Sequence, residues 1–378
     1  MIGDEEREEV LDTLRSDWIT TGPKTKAFEQ KFAAFLRAEG ALALNSCTAG
    51  LHLALVVNGI GPGDGVITTP MTFCASVNVI EHVGARPVLA DVESDTLNID
   101  PEKILKVLKS PKGRKAKAIL AVHYAGHPCE MAGIEKIAQK YGLAVIEDAA
   151  HAFPAKYKGC PVGSGKNLVA FSFYATKNLT TGEGGMLTGD RKLLEKARIL
   201  SLHGMSRDAW KRYDKKGSWK YQVLYPGFKY NMSDIQAAIG IRQLEKIHRF
   251  QKRRYRVVEA YNQSFDNFDA LEIPAAREGV EHAWHLYVLR LNPGVLKISR
   301  DQFIEELKKS GVASSVHFIP VHLHPFYRKK YGYKPHDFPV AFNEYQRMLS
   351  LPLNPRLSDR DVHQVTRAVC KIAKRFHA

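Results

Sequence analysis

Short apolar runs recur through the first half of this chain, each followed by a stretch with helical spacing. That alternation constrains the fold more than any other feature. Ala41-Leu-Ala-Leu44, Val66-Ile-Thr-Thr69, Pro87-Val-Leu-Ala-Asp91, Ala118-Ile-Leu-Ala-Val122 and Ala144-Val-Ile-Glu-Asp148 are too short for helices and show no polar face. Between them, Thr48–Val57, Phe73–His82, Pro101–Leu108 and Ile134–Tyr141 carry helical periodicity. Strands of this kind are covered on both faces, so the pattern predicts an α/β fold with a largely parallel sheet. Leu168–Phe173 and Gly185–Thr188 extend the sheet, and a helix is expected over Lys192–Leu202. Ser233 is placed to cap a long helix from Asp234, with Ile235, Ala238, Ile239, Leu244 and Ile247 on its apolar face and the basic run Arg249–Arg256 continuing it. After about residue 260 the texture changes to a compact α+β unit: a strand at Trp284–Leu291, a helix at Arg300–Ser310, a strand at Ser314–His317 and a helix at Asp359–Phe376. The expected division is a large domain over 1–250 and a small C-terminal domain over 251–378. Ser206–Tyr230, rich in glycine, lysine and aromatics, reads as a long loop.

In open parallel sheets ligands bind beyond the carboxyl ends of the strands. Three segments lie at such ends: Asn45-Ser-Cys-Thr-Ala-Gly50, Thr68-Thr-Pro-Met-Thr-Phe73 and Glu147-Asp-Ala-Ala-His151. Further along, Phe171-Ser-Phe-Tyr-Ala-Thr-Lys177 runs into a turn, Thr181-Gly-Glu-Gly-Gly185. Each group has a plain structural explanation. Asp148 could cap a helix, Thr48 could do the same, Phe73 could be core, and Lys177 could be a surface lysine. Jointly they have a chemistry. A lysine on a loop and an acid at a strand end are what pyridoxal 5′-phosphate (PLP) needs: an amine for its aldehyde and a carboxylate that keeps its ring nitrogen protonated. The Asn45–Gly50 turn opens a helix and so offers N–H groups to a phosphate.

Bulk properties exclude several classes. The chain has 378 residues, enough for a full core, and no apolar run approaches a membrane span. The N-terminus is charged and lacks the apolar stretch of a signal peptide. Five scattered cysteines, with no Cys-x-x-Cys pair, suit free thiols in a reducing cytoplasm. The net charge of +15 suits anionic substrates, but the basic clusters are dispersed and no nucleic-acid-binding motif accompanies them. His123-x-x-x-His127 and His317 with His322-x-His324 have ligand-like spacing. The first pair straddles Gly126 and precedes Pro128, so structural or substrate-contacting histidines are the better reading, with no metal.

The motifs Trp18-Ile-Thr-Thr-Gly-Pro23, Asn45–Gly50, Val122-His-Tyr-Ala-Gly126, Glu147–His151, Ser172-Phe-Tyr-Ala-Thr-Lys177, Gly227–Ala238 and His317-Phe-Ile-Pro320 together resemble the nucleotide-sugar aminotransferases of the DegT/DnrJ/StrS group, over nearly the whole chain. The nearest flavour is a transaminase acting on a UDP-4-keto sugar. The resemblance implies the fold type I of PLP enzymes, with a seven-stranded, mostly parallel sheet in the large domain. It implies that Lys177 binds the cofactor aldehyde, Asp148 meets the ring nitrogen, Thr48, Ala49 and Ser172 hold the phosphate, Phe73 stacks on the ring and His151 lies near it. It implies L-glutamate as amino donor, pyridoxamine 5′-phosphate between two half-reactions, and a homodimer in which Asn231 reaches the neighbouring subunit's cofactor phosphate. Thr21, Lys24, Glu183, His317, Phe318 and Tyr327 are expected substrate contacts. Two departures stand out. The chain starts almost at its first helix, which withdraws any expectation about contacts from residues before it. The stacking position, often Trp or Tyr, is Phe73 here. A related branch with histidine in place of the lysine performs dehydration, and Lys177 argues against it. Two rivals remain: a sugar dehydratase or isomerase on the same fold, and a polyanion-binding regulator.

Overall fold

The computed structural model describes residues 2–206 and 221–378. Two helices open the chain, α1 (Asp4–Arg15) and α2 (Pro23–Leu36). The alternating region follows: β1 (Ala41–Leu44), α3 (Cys47–Val57), β2 (Gly65–Thr68), α4 (Ala75–His82), β3 (Arg86–Leu89), α5 (Pro101–Leu108), β4 (Ala116–Val122), α6 (Met131–Tyr141) and β5 (Ala144–Asp148). A small hairpin, β6 (Lys156–Tyr157) and β7 (Cys160–Pro161), precedes β8 (Leu168–Ser172), β9 (Gly185–Thr188) and α7 (Arg191–Ser201). The main sheet has seven strands in the order β1-β9-β8-β5-β4-β2-β3. Its ladders are parallel except that β9 runs antiparallel to both β1 and β8. Strands β1, β2 and β9 are buried along their length, as runs without a polar face require. Helix α3 is buried nearly all round because it lies over the sheet beneath its neighbours.

Helix α8 (Asp234–Phe265) is 32 residues long. The Ser233 hydroxyl accepts the Gln236 N–H while the Gln236 side chain accepts the Ser233 N–H, so the first turn is capped from both sides. The expected boundary after residue 250 falls inside this helix. Ala237, Ile241, Leu244 and Ile247 belong to a core shared with α2 and the main sheet, whereas Val257, Val258, Tyr261 and Phe265 belong to the C-terminal core. The buried stripe is rotated from the expected one: Ile235 and Ile239 are only half-buried.

The C-terminal region contains β10 (Leu271–Glu272), β11 (Val280–Glu281), β12 (Tyr287–Leu291), α9 (Arg300–Lys309), α10 (Pro325–Tyr331), α11 (Pro339–Arg347), β13 (Met348–Leu351) and α12 (Asp359–Arg375). Strands β10, β12 and β13 form an antiparallel sheet, and β11 pairs with the hairpin of the large region. Helix α12 buries Val362, Val365, Val369 and Ile372 at helical spacing. Two expected strands differ. The one over Trp284–Leu291 begins only at Tyr287, because Ala283 N–H donates to Gly126 O and the N–H groups of His285 and Leu286 both donate to Ala125 O. That docks 283–286 on the loop after β4 instead of on a strand. The one over Ser314–His317 reduces to a single bridge between Ser315 and Ser350 as the chain turns back toward the large region. Most of the expected Ser206–Tyr230 loop lies outside the described residues. Among those described, no helix is long and apolar enough to cross a membrane.

Candidate active site

A cavity of about 490 Å³ opens beyond the carboxyl ends of β4, β5 and β8. It gathers segments far apart in sequence: the start of α3, the turn before α4, the end of β5, the loop after β8 and the segment around His317. Of the residues singled out in the sequence, Thr48, Phe73, Asp148, His151, Ser172, Lys177, Glu183, His317 and Phe318 all line it.

Asp148 is buried at the end of β5. Its Oδ2 accepts the Ser76 hydroxyl at 2.6 Å, and its Oδ1 accepts the Ala150 N–H at 3.0 Å. Lys177 follows β8 on a turn closed by its own N–H to Tyr174 O, 2.9 Å. Burial pushes its amine below the ordinary lysine range, and the nearby Asp148 charge only partly offsets this. A lysine in that condition is closer to being a usable base or nucleophile at neutral pH.

The start of α3 forms another wall. Ser46 caps the helix, its Oγ accepting the Ala49 N–H at 3.1 Å. Ala49 therefore sits behind the wall with its amide already engaged, while Cys47 and Thr48 face the cavity. Among the first amides of an α-helix, which have no intrahelical acceptor, those of Cys47 and Thr48 precede Ala49. Gly185 makes room for this arrangement. A Cβ there would lie 2.4 Å from the Ser46 carbonyl carbon and 2.5 Å from Cys47 N.

Aromatic and imidazole rings complete the lining. Phe73 is 58% exposed, so it is no core residue; its ring lies 5.8 Å from that of Phe318. His151 stacks on Phe318 and sits 4.4 Å from the ring of His285. Asn178 Nδ2 donates to Phe153 O and Ala283 O, which leaves its Oδ1 to accept the Nδ1–H of His285 at 3.3 Å. Burial, then the Lys177 charge, holds His151 and His317 below the usual histidine range. Burial, then His151, does the same to His285. These imidazoles are therefore neutral at pH 7. His285, Ser76 and Cys47 are not singled out in the sequence, whereas His123, expected there to be structural or substrate-contacting, also lines the cavity. The sequence puts His285 inside the expected strand Trp284–Leu291, where a lone histidine carries no functional signal.

Four sequence candidates lie elsewhere. Asn231 and Thr21 line a separate open cleft of about 1230 Å³ beside α2 and α7, with Asn231 Nδ2 donating to Thr21 Oγ1 at 2.7 Å. Lys24 is not free for substrate: its ammonium pairs with Glu9 and, at 2.7 Å, with Asp12. Tyr327 is buried with its hydroxyl on Asn78 Oδ1. The spaced histidines diverge as well. His123 Nδ1 accepts the Cys129 N–H, so its Nε2–H donates to Glu147 at 2.9 Å. His127 instead sits beside His282, their ring centroids 5.4 Å apart. Among the described residues no group of three or more His, Cys, Asp or Glu could hold a metal ion.

The donor set matches PLP in its chemistry: a fixed carboxylate, a buried amine, first-turn amides that have no intrahelical acceptor and an exposed aromatic face within one cavity. The comparisons agree. Over 372 residues, 98% of this chain and 95% of its relative, the protein is 55% identical to an uncharacterized protein of Methanocaldococcus jannaschii. Over 376 residues, 99% and 96% of the two chains, it is 51% identical to the spore coat polysaccharide biosynthesis protein SpsC of Bacillus subtilis. Its fold matches a putative sugar aminotransferase from Streptococcus pneumoniae in the PMP form, with a TM-score of 0.92 and 35% identity over 99% of this chain and 98% of that one. The same Streptococcus protein has also been solved in PLP and apo forms. Residues 1–370 match the DegT/DnrJ/EryC1/StrS aminotransferase family, and this chain belongs to it as a PLP-dependent aminotransferase.

Proposed function

We propose that the protein aminates a keto-sugar carried on a nucleoside diphosphate, a UDP-4-keto sugar in the first instance, with L-glutamate as donor. The product would be an amino-sugar nucleotide for a surface polysaccharide, a reading supported by the likeness to SpsC. The observation that carries it is the convergence of Lys177 and Asp148, from separate segments, on one cavity floored by the start of α3.

When bound, PLP supplies an aldehyde that accepts amines and a protonated ring that draws off electrons. The protein's residues do the rest. Asp148, held by Ser76 and Ala150, would receive the ring N–H. The Cys47 and Thr48 amides, with the hydroxyls of Thr48 and Ser172, would hold the phosphate. Phe73 and His151 would flank the ring. Lys177 Nζ, once released by the incoming amine, would take the proton from the donor's α-carbon as general base and hand it as general acid to the cofactor's aldehyde-derived carbon. In the second half-reaction it would carry a proton the other way, from that carbon to the sugar carbon being aminated. Its lowered proton affinity suits that exchange near neutral pH. Neutral His317, with Phe318 and Glu183, would contact the substrate. A homodimer would complete the site. Asn231 lies outside its own chain's cavity, as a residue serving a second copy would, and exposed Leu11, Leu14 and Ile19 offer apolar surface for the contact.

The test is a panel of UDP-, dTDP- and GDP-linked keto-sugars incubated with glutamate and PLP-loaded protein, following 2-oxoglutarate and the amino-sugar product. UDP-4-keto sugars should give both. Turnover confined to another nucleotide, or none with glutamate, would overturn the assignment.

A further inference from the structure

The Asp148 carboxylate is backed by two buried hydroxyls in series, of which only the nearer has entered the mechanism so far. Ser76, wholly buried in the first turn of α4, reaches Asp148 Oδ2 at 2.6 Å. Thr72, also buried, lies 2.7 Å from the Ser76 oxygen. An ionised carboxylate only accepts, so the Ser76 proton points at Asp148. The alternative acceptor, Phe73 O, is farther at 3.3 Å. The Thr72 hydroxyl must then donate to Ser76, giving a one-way relay from Thr72 through Ser76 to Asp148. Chains of this kind polarise one another, and hydrogen bonds to a charged acceptor are the stronger class.

Geometry gives the relay its purpose. Asp148 Oδ2 is tied to α4 and Oδ1 to the Ala150 amide, so donors on both oxygens stop the carboxylate turning about its last torsion. Phe73, which is exposed to the same cavity, lies between Thr72 and Ser76 in the chain. One short segment therefore presents the aromatic face and braces the acid. We propose that Ser76 is a positioning residue, with Thr72 behind it, that locks Asp148 in the orientation needed to grip the PLP ring nitrogen. The proposal rests on Asp148 being the ring partner.

The experiment is a double-mutant cycle on PLP affinity, measured by titrating apoprotein with PLP, with apoprotein melting recorded in parallel. Ser76→Ala should weaken PLP binding on the order of tenfold, as expected for a lost hydrogen bond to a charged group. Thr72→Val should weaken it less. In an Asp148→Asn background Ser76→Ala should add little, because the effect runs through the acid. An unchanged affinity in Asp148→Asn alone would remove the premise. A large Asp148→Asn effect with full PLP affinity in Ser76→Ala would overturn the proposal alone. So would an equal Ser76→Ala loss in both backgrounds, or a loss that merely tracks a lower apoprotein melting temperature.

Discussion

Lys177 and Lys24 are the same residue in opposite circumstances. Lys24, at the start of α2, reaches into the seam where α1 packs on α8. Partial burial alone would push its amine down, but hydrogen bonds to Asp12 and Glu9 outweigh it and hold it above the usual range. Lys246, in the same seam, is clasped by Glu5 and Glu6 at 2.7 and 2.8 Å. Lys177 gets the burial without the clasp, and its amine is pushed down. The difference separates a rivet from a reagent. A paired lysine is stable and chemically idle, whereas a buried, under-compensated one is costly to keep charged and ready to react.

The largest effect expected from this contrast is at Lys177. Lys177→Met should abolish amino transfer, a loss of at least about 10⁴-fold in single-turnover rate, since on the proposed mechanism it removes the base and the cofactor's anchor together. The apoprotein should melt no lower than the parent. The sign follows from linkage. A folded-state pKa below the unfolded one makes the charge destabilising; the penalty is full below the folded pKa and fades as pH rises from there to the ordinary lysine value. Melting of the parent apoprotein should therefore gain from this residue as pH rises through that window, and the Met variant should lose that gain. A marked fall in melting temperature would mean that Lys177 is a rivet too.

Asn231 sharpens the comparison at the level of the assembly. If its cleft meets a second copy of the chain, Asn231→Ala should raise the PLP dissociation constant by about tenfold, one lost charge-assisted hydrogen bond. Mixing it with Lys177→Ala should then restore part of the activity in heterodimers, because one of the two hybrid sites carries both intact residues. No recovery, with heterodimers demonstrated by tagging, would place Asn231 in its own chain's structure.

How far the sequence revealed this arrangement differs by region for a physical reason. Runs such as Ala144–Asp148 must be buried on both faces, and that requirement is written locally; the strand has those bounds in the structure. Leu349 and Leu351 of β13 were missed because four residues after an α-helix carry no turn signal of their own. The site divides along the same line. Lys177, Asp148 and Thr48 sit at ends of legible elements. His285 is brought to the cavity by an amide clamp from Asn178 and by docking on Ala125, contacts made across more than a hundred residues of chain. Lys24 misled because a lysine beside a glycine-proline turn looks available. Its partners Glu9 and Asp12 lie a helix away, and nothing local announces that α1 folds back over α2.

That correction yields the smallest effect, and it tests the rivet side of the contrast. Lys24→Met removes an ammonium whose side chain is 23% exposed and leaves Glu9 still paired with Arg242. With one partner retained and Asp12 largely exposed, the loss should be about 1 kcal/mol in urea unfolding. Its raised pKa gives it the opposite pH signature to Lys177: stabilisation is full below the ordinary lysine value and disappears as pH rises through the folded one. The KM for the proposed sugar-nucleotide substrate should stay within about twofold of the parent, the range of a substitution that touches no substrate. A KM rise of tenfold or more at unchanged stability would return Lys24 to the substrate, and the distinction between clasped and unclasped lysines would no longer predict which of them reacts.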